Sequence, residues 1–108
     1  LVGNAGSFFK NPVVTARQLD ELKERYPLIP HYPAGDLSKY KLAAGWLIEQ
    51  CGWKGYREGD AGVHKDQALV LVNYGKATGM DVLMLAGKIQ RSVMDTFGIM
   101  IEKEVNVI

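Results

Sequence analysis

The sequence predicts an α+β fold: a small, mostly antiparallel sheet with about three helices packed on one side of it. Three segments carry apolar residues at helical spacing, and short β-branched or alternating runs occur elsewhere. These segments do not follow the regular strand–helix–strand order of a parallel sheet. The 108 residues suit one domain with a modest core, so we expect residues 1–108 to form a single domain. The chain starts at Leu1 rather than Met, and we expect it to be a piece of something longer.

The first predicted helix covers the segment "ARQLDELKERY". Thr15 and Gln18 have the spacing of a capping box at its start, and Pro27 and Pro30 end it. The charged residues on one face indicate a solvated surface. The apolar stripe on the other face comprises Leu19, Leu22 and Tyr26.

Two further helices are predicted. The second covers "KYKLAAGWLIEQC", with Ser38 as its cap and Gly52 as the terminating residue. Its inward side chains are expected to be Leu42, Trp46 and Leu47. The third covers residues 81–97 and ends at Gly98. Its apolar face comprises Val82, Leu85, Ala86, Ile89, Val93 and Phe97.

The segment "GSFFKNP", residues 6–12, predicts a short strand near the start of the chain. Regular alternation would place Ser7 and Phe9 on one face, and Phe8 and Lys10 on the other. Ser7 is then either a small residue that packs beside Phe8 or a hydroxyl group directed at a ligand. Lys10 points away from Ser7 in this interpretation, and we expect it to be solvated.

The remaining strand signals lie in the second half of the chain. The continuous apolar run 68–73 indicates a buried strand, and 62–64 is expected to belong to the same strand. The run 99–108 alternates, with an apolar face and a second face that carries both carboxylates, Glu102 and Glu104. Residues 27–37, which contain three prolines, are the most loop-like segment.

Composition argues against several classes of function. A net charge of +1 is not that of a strongly basic nucleic-acid-binding face, and no apolar run approaches the length of a membrane span. The single cysteine, Cys51, excludes an internal disulfide and fits a cytoplasmic setting; we expect it in the core, with Trp46 and Trp53. His31 and His64 lack partners at metal-ligand spacing. No glycine-rich nucleotide motif follows a strand.

Four strings carry a more specific signal: "GNAGSFFKNPVV", "HYPAGDLSKYKLAAGWLIEQCGWKG", "GVHKDQALVLVN" and "IEKEV". In this order they closely resemble the C-terminal domain of the UDP-N-acetylenolpyruvoylglucosamine reductases, and the resemblance covers essentially the whole chain. It implies a flavoenzyme that uses NADPH and FAD to convert UDP-N-acetylglucosamine enolpyruvate to UDP-N-acetylmuramate for bacterial peptidoglycan. The FAD-binding domains lie upstream in that family, so no cofactor is expected in this chain alone.

The resemblance assigns two catalytic residues. Ser7 matches the serine that delivers a proton to the carbon next to the one that receives the hydride. Glu104, the second carboxylate of "IEKEV", matches a glutamate that acts near the substrate carboxylate. Without the resemblance, Glu104 would be interpreted as a solvated carboxylate. Glu102 points to the same side, and the family pattern favours Glu104.

The resemblance also assigns three residues that bind the substrate diphosphate. Asn11 matches an asparagine at this site, and its alternative is a turn residue before Pro12. Tyr32 resembles a tyrosine that closes over the diphosphate, and its alternative is a surface aromatic in a proline-rich loop. Gln67 aligns near a third polar contact, although a slip of one position would place Asp66 there.

The chain departs from the family pattern at two positions, which puts the local strand geometry in question. Asn106 stands where the family commonly has arginine, and Lys103 stands where proline is frequent. Two other classes of function stay open from the residues alone. They are a non-catalytic module that binds a nucleotide sugar or a protein, and a structural fragment without ligand affinity of its own.

Overall fold

The computed structural model describes residues 3–35 and 38–104, with side chains from Ser7 onward. It confirms the α+β class, but its strands form two antiparallel sheets rather than the single sheet predicted. The four-stranded sheet has the order β1 (Gly3–Ser7), β7 (Val70–Asn73), β6 (Ala61–Val63) and β5 (Arg57–Glu58). The three-stranded sheet has the order β2 (Val13–Thr15), β4 (Lys39–Leu42) and β3 (His31–Pro33).

The prediction of one sheet is wrong because the chain changes sheets between β1 and β2. Pro12 lies in this connection and has no N–H to donate to a ladder, whereas its carbonyl accepts a bond from Leu42 N–H at 2.9 Å. Val13 then pairs with Lys41 of β4 rather than with β7. Residues 8–12 therefore join the two sheets.

Helix α1 (Ala16–Arg25) confirms the first prediction. The Gln18 N–H donates to Thr15 Oγ1 at 3.1 Å, and the Thr15 N–H donates to Gln18 Oε1 at 2.8 Å, which completes the capping box. Leu19 is buried, while Leu22 and Tyr26 pack against the core from partly buried positions. The helix ends at Tyr26, directly before the first proline.

Helix α3 (Gly79–Phe97) also confirms its prediction, with a start two residues earlier. Thr78 and Asp81 form a second capping box. Gly98 adopts the left-handed conformation with φ of 71° and ends the helix, as predicted. Of the predicted apolar face, Val82 is partly buried, and the buried members are Leu85, Ala86, Ile89, Val93 and Phe97.

Helix α2 (Ala44–Gln50) is shorter than predicted, because residues 39–42 form strand β4. Ser38 is therefore not its cap. The segment "KYKL" has the alternation of a strand, with exposed Lys39 and Lys41 and with Leu42 fully buried. Pairing with strands on both sides outweighs the helix propensity of these residues. Gly52, with φ of 85°, follows the end of α2 as predicted.

One strand prediction and one loop prediction also need correction. Residues 61–63 and 70–73 are separate antiparallel strands of a hairpin, not parts of one strand. The segment 27–37 contains the edge strand β3, whose terminal proline is tolerated because an edge strand leaves one side without a ladder. Residues 36 and 37 lie outside the described residues.

The predicted faces of "GSFFKNP" are wrong. Ser7 is exposed, whereas Phe9 is 1% exposed and Phe8 is partly buried against the core. A bulge interrupts the pairing of β1 with β7 before Ser7. The Phe8 N–H then donates to Leu69 and the Phe8 carbonyl accepts from Glu104, so this residue contacts two different segments. In a regular strand both groups point to one neighbour, and the twist at Phe8 breaks the alternation.

The C-terminal run pairs with this segment over a short distance. Phe9 and Lys103 form an isolated antiparallel bridge, flanked by 2.8 Å backbone bonds from Lys10 to Glu102 and from Glu104 to Phe8. Ile99 and Ile101 are buried, which confirms the apolar face of the alternation in residues 99–104. No strand is assigned within these residues, and 105–108 lie outside the described residues.

Most helices and strands contribute to one core of buried apolar residues, with Phe9, Leu42 and Ile101 among its most buried members. Trp46 and Trp53 pack against it from partly buried positions, as predicted. Cys51 is partly buried, and its Sγ lies 3.8 Å from a carbonyl oxygen of α3. Across the described residues, no helix is both long and apolar enough to cross a membrane.

Candidate functional site

The two predicted catalytic residues lie on adjacent backbone segments. Ser7 ends β1, where it pairs with Val70 of β7. The next residue, Phe8, accepts a 2.8 Å backbone bond from Glu104. Both Ser7 and Glu104 are exposed, so neither fills the core. The interpretation of Ser7 as a small residue in a tight apolar environment does not fit this exposure.

Asn11 caps a helix that has no cap of its own. The residue before α2 is Ala43, which has no polar side chain, and the Ala44 N–H instead donates to Asn11 Oδ1 at 2.9 Å. Because Oδ1 faces this donor, the amide orientation is determined, and Nδ2 is the end that can donate elsewhere. Asn11 is therefore neither a simple turn residue nor a freely rotating surface amide.

Tyr32 lies on strand β3, not in an irregular loop, and its side chain is 53% exposed. It is directly opposite Lys41 of β4, which is in turn opposite Val13 of β2. Directly opposed residues project to the same face of a sheet. This Tyr32–Lys41–Val13 row is solvent-exposed, and it places Tyr32 and Lys41 at directly opposed positions of neighbouring strands.

A solvent-accessible groove of about 400 Å³ lies beside Asn11. Its walls include Lys10, Asn11, Val13 and Glu102. Val13 belongs both to the groove and to the Tyr32–Lys41–Val13 row, so Asn11 and Tyr32 lie on one continuous surface. Lys10 is exposed, as predicted, and contributes a positive charge to the groove wall.

Gln67 is exposed in the loop that joins β6 to β7. This loop lies next to the end of β1, because the Val70 N–H donates to the Gln67 carbonyl at 2.9 Å and Val70 pairs with Ser7. The His64 ring contacts the loop directly: its Nδ1 accepts from the Asp66 N–H at 3.0 Å and the Gln67 N–H at 3.2 Å. The backbone thus brings Gln67 toward Ser7.

Sequence reasoning missed two residues of this surface. Lys41 was assigned to a helix, although the alternation of "KYKL" is also compatible with an exposed strand position. His64 was considered as a metal ligand and as a member of a Ser-His-acid triad, but not as a residue that supports the loop. Among the described residues, no group of three or more His, Cys, Asp or Glu side chains is placed to hold a metal ion.

The described residues thus define an α+β domain with a polar, solvent-accessible surface that runs from the end of β1 to the three-stranded sheet. Comparison with known proteins shows which domain this is. The chain belongs to the family of C-terminal domains of UDP-N-acetylenolpyruvoylglucosamine reductases, whose sequence model matches residues 2–108.

Similar proteins with this name occur in several bacteria. The chain is 62% identical over 104 residues to the UDP-N-acetylenolpyruvoylglucosamine reductase of Chromobacterium violaceum. This match covers 96% of this chain and 30% of the relative. It is 55% identical over 107 residues to that of Pseudomonas savastanoi, covering 99% of the chain and 31% of the relative. It is 54% identical over 108 residues to that of Xylella fastidiosa, covering 100% and 31%. The chain therefore spans about a third of the length of these relatives.

Proposed function

We propose that this chain is the substrate-binding domain of an NADPH-dependent flavin reductase. The reductase converts UDP-N-acetylglucosamine enolpyruvate to UDP-N-acetylmuramate for peptidoglycan synthesis in the cytoplasm. The observation that carries this proposal is the match of residues 2–108 to the family, together with relatives of the same name at 54–62% identity. Because these relatives are about three times as long, the flavin and NADPH belong to the rest of the protein in this proposal.

The sequence of this chain has no glycine-rich dinucleotide motif after a strand. In the proposed reaction the bound reduced flavin supplies a hydride to the enolpyruvyl double bond. The isolated chain should neither retain FAD nor oxidise NADPH. A flavin spectrum that co-purifies stoichiometrically with the 108 residues would contradict this.

The proposed role of Ser7 is to deliver a proton from Oγ to the carbon that becomes electron-rich after hydride transfer. A serine hydroxyl can do this only where the site stabilises the developing alkoxide or relays a proton to it. The position of Ser7, exposed at the end of β1, supports this role. Glu104 is the proposed acid or hydrogen-bonding group at the enolpyruvyl carboxylate, and its segment is bonded to the residue after Ser7.

The remaining residues hold the diphosphate in this proposal. Asn11 donates through Nδ2, because Oδ1 is engaged by α2. Tyr32 donates through its hydroxyl and shields the site with its ring, and the adjacent Lys41 adds a positive charge. Gln67 contributes a further amide from the β6–β7 loop. The two sheets thus contribute different ligand contacts.

The test is a two-step kinetic experiment on the full-length enzyme that contains this chain. Ser7→Ala should leave the reduction of the flavin by NADPH unchanged, since that step does not involve the serine. Reoxidation of the flavin by substrate should slow by about 10²–10⁴-fold, the usual size of a general acid–base contribution. Ser92→Ala, on helix α3, is the matched serine control.

Unchanged reoxidation in Ser7→Ala would refute the catalytic role. If Asn11 and Tyr32 variants still weakened ligand binding, the result would favour the alternative of a binding module without catalytic residues. The two classes of function are therefore separated by one pair of measurements, the reoxidation rate and the substrate affinity.

A further inference from the structure

His64 occupies the start of the β6–β7 loop, and its ring closes that loop. Its Nδ1 accepts hydrogen bonds from the backbone N–H groups of Asp66 and Gln67, at 3.0 and 3.2 Å. A ring nitrogen that accepts from N–H donors carries no proton of its own. The proton of the neutral imidazole therefore resides on Nε2.

The other histidine of the chain shows the opposite arrangement. His31 Nδ1 lies 2.9 Å from the carbonyl oxygen of Ile29, which can only accept. That nitrogen must carry a proton, and the contact tolerates either a neutral or a charged ring. The acceptor role of Nδ1 at His64 is thus specific to its loop and is not a general feature of surface histidines here.

The loop that His64 closes is bonded to the strand next to Ser7. The His64 N–H donates to the Val70 carbonyl at 2.9 Å, and the Val70 N–H donates to the Gln67 carbonyl at 2.9 Å. Val70 in turn pairs with Ser7. The backbone from 64 to 70 is held at both ends, and the His64 ring accepts bonds from two of the amides between these ends, those of Asp66 and Gln67.

We propose that His64 is a positioning residue: its neutral ring, through Nδ1, holds the 64–67 loop in the shape that places Gln67 beside Ser7. The inference rests on the proposed function, because the contact of Gln67 with the ligand is part of that proposal. His64 itself need not touch the substrate. What it contributes is an acceptor atom at a defined place, and that requirement can be tested separately from the presence of a ring.

Asparagine is the informative replacement. Its Oδ1 is attached to Cγ, as is Nδ1 of histidine, and asparagine commonly bonds to backbone N–H groups two residues ahead. His64→Asn should therefore retain the loop, whereas His64→Leu keeps bulk but removes the acceptor. Both variants are made in the full-length enzyme, with Gln67→Ala as the reference for loss of the ligand contact itself.

Asn73 provides a matched control at the other end of β7. Its Oδ1 accepts from the N–H groups of Gly75 at 2.8 Å and Ala77 at 3.1 Å, which is the same type of loop closure away from Gln67. Asn73→Leu should lower the melting temperature and leave KM within about twofold of the parent. It thus reports what general destabilisation alone does to the kinetics.

The measurements are kcat, KM and amide hydrogen exchange at Asp66 and Gln67. In His64→Leu we expect exchange at both amides to accelerate and KM to rise about 3–10-fold, the value of roughly one hydrogen bond, with kcat within about twofold. In His64→Asn both quantities should stay near those of the parent. A positioning role predicts this rescue, and a role for the aromatic ring does not.

Four results would overturn the inference, and the first three concern His64 and Asn73 variants. The first is an unchanged KM in His64→Leu although Gln67→Ala raises KM. The second is a His64→Asn variant as impaired as His64→Leu. The third is an Asn73→Leu variant that raises KM equally. If Gln67→Ala itself has no effect on KM, the inference also fails, while normal sensitivity to Ser7→Ala would show that the proposed function stands.

Discussion

The two ends of the Asn11 amide can be tested separately, because Oδ1 accepts from the Ala44 N–H and Nδ2 is the proposed donor to the diphosphate. Asn11→Asp keeps an oxygen acceptor for the Ala44 N–H, and a carboxylate at a helix N-terminus is favourable. It also removes the Nδ2 donor and places a negative charge where a diphosphate is proposed to bind. Asn11→Ala removes both the acceptor and the donor without adding charge.

The expected magnitudes differ accordingly. Loss of an N-cap costs about 1 kcal/mol, within a range of roughly 0.5–2 kcal/mol. Ala43 supplies no side chain to compensate, and α2 has only seven residues, so we expect the full cost in Asn11→Ala. For a chain of this length about 1 kcal/mol lowers the melting temperature by about 4 °C. Asn11→Asp should melt within about 1 °C of the parent chain.

Substrate affinity should follow the opposite order. A hydrogen bond to a charged group is worth about 1.5–3 kcal/mol, so loss of the donor predicts a KM at least about tenfold higher in both variants. The added carboxylate repels a diphosphate, and Asn11→Asp should therefore be the weaker binder although it is the more stable protein. Thermal unfolding followed by circular dichroism and steady-state kinetics of the full-length enzyme provide the two measurements.

The stability prediction and the affinity prediction for Asn11 are independent of each other. An Asn11→Ala chain that melts with the parent would show that the bond to Ala44 contributes no stability. An Asn11→Asp enzyme with the KM of the parent would show that Nδ2 does not contact the diphosphate.

Three further predictions concern other parts of the molecule. Gly98→Ala should lower the free energy of unfolding by about 1 kcal/mol: φ is 71° at this position, which strains an alanine, while no atom crowds the new Cβ and adds a further cost. Gly87→Ala, in the interior of α3, should raise the free energy of unfolding by about 0.5–1 kcal/mol. Chemical denaturation of both variants measures the two changes, which should have opposite signs. Tyr32→Phe should raise KM at least about tenfold with kcat within about twofold, because it also removes a donor to the charged diphosphate, and an unchanged KM would show that the hydroxyl does not contact the ligand. The hydrogen bond from Lys88 to Glu58 raises the lysine pKa, so its stabilisation is present below the ordinary lysine value of 10.5 and is lost as pH rises through the higher folded pKa. Glu58→Gln should lower the pKa of Lys88, as measured by NMR titration of its side chain.

Elements that depend on local signals were predictable from the sequence. Helix α1 has the Thr15 capping box and an apolar stripe, helix α3 has a long apolar stripe and the Gly98 stop, and each of these signals lies within a few residues of the feature that it predicts. Strand β4 was missed because its stability comes from pairing with both β2 and β3, which no local window contains. The division into two sheets depends on the same non-local pairing.

The geometry of the candidate site also depends on contacts between residues that are distant in the sequence. Residue types could be assigned by resemblance, but the helix cap at Asn11 joins positions 33 residues apart in the chain. The role of the His64 ring could have been considered from the sequence, because His64 is followed by three polar residues, 65–67, before the apolar run that forms β7. The wrong faces predicted for Ser7 and Phe9 follow from a bulge and a change of partner, neither of which alternation can reveal.

The backbone partners of the segment after Ser7 set an order for folding. Phe8 donates to Leu69, Lys10 donates to Glu102, and the Phe8 carbonyl accepts from Glu104. The contacts of residues 8 and 10 with residues 102 and 104 can therefore form only after the chain has been synthesised through residue 104. Closing so long a loop is slow relative to local helix formation. Helices α1 and α3 can form early, whereas the surface that carries the proposed proton donor is completed only after nearly the whole chain has been synthesised.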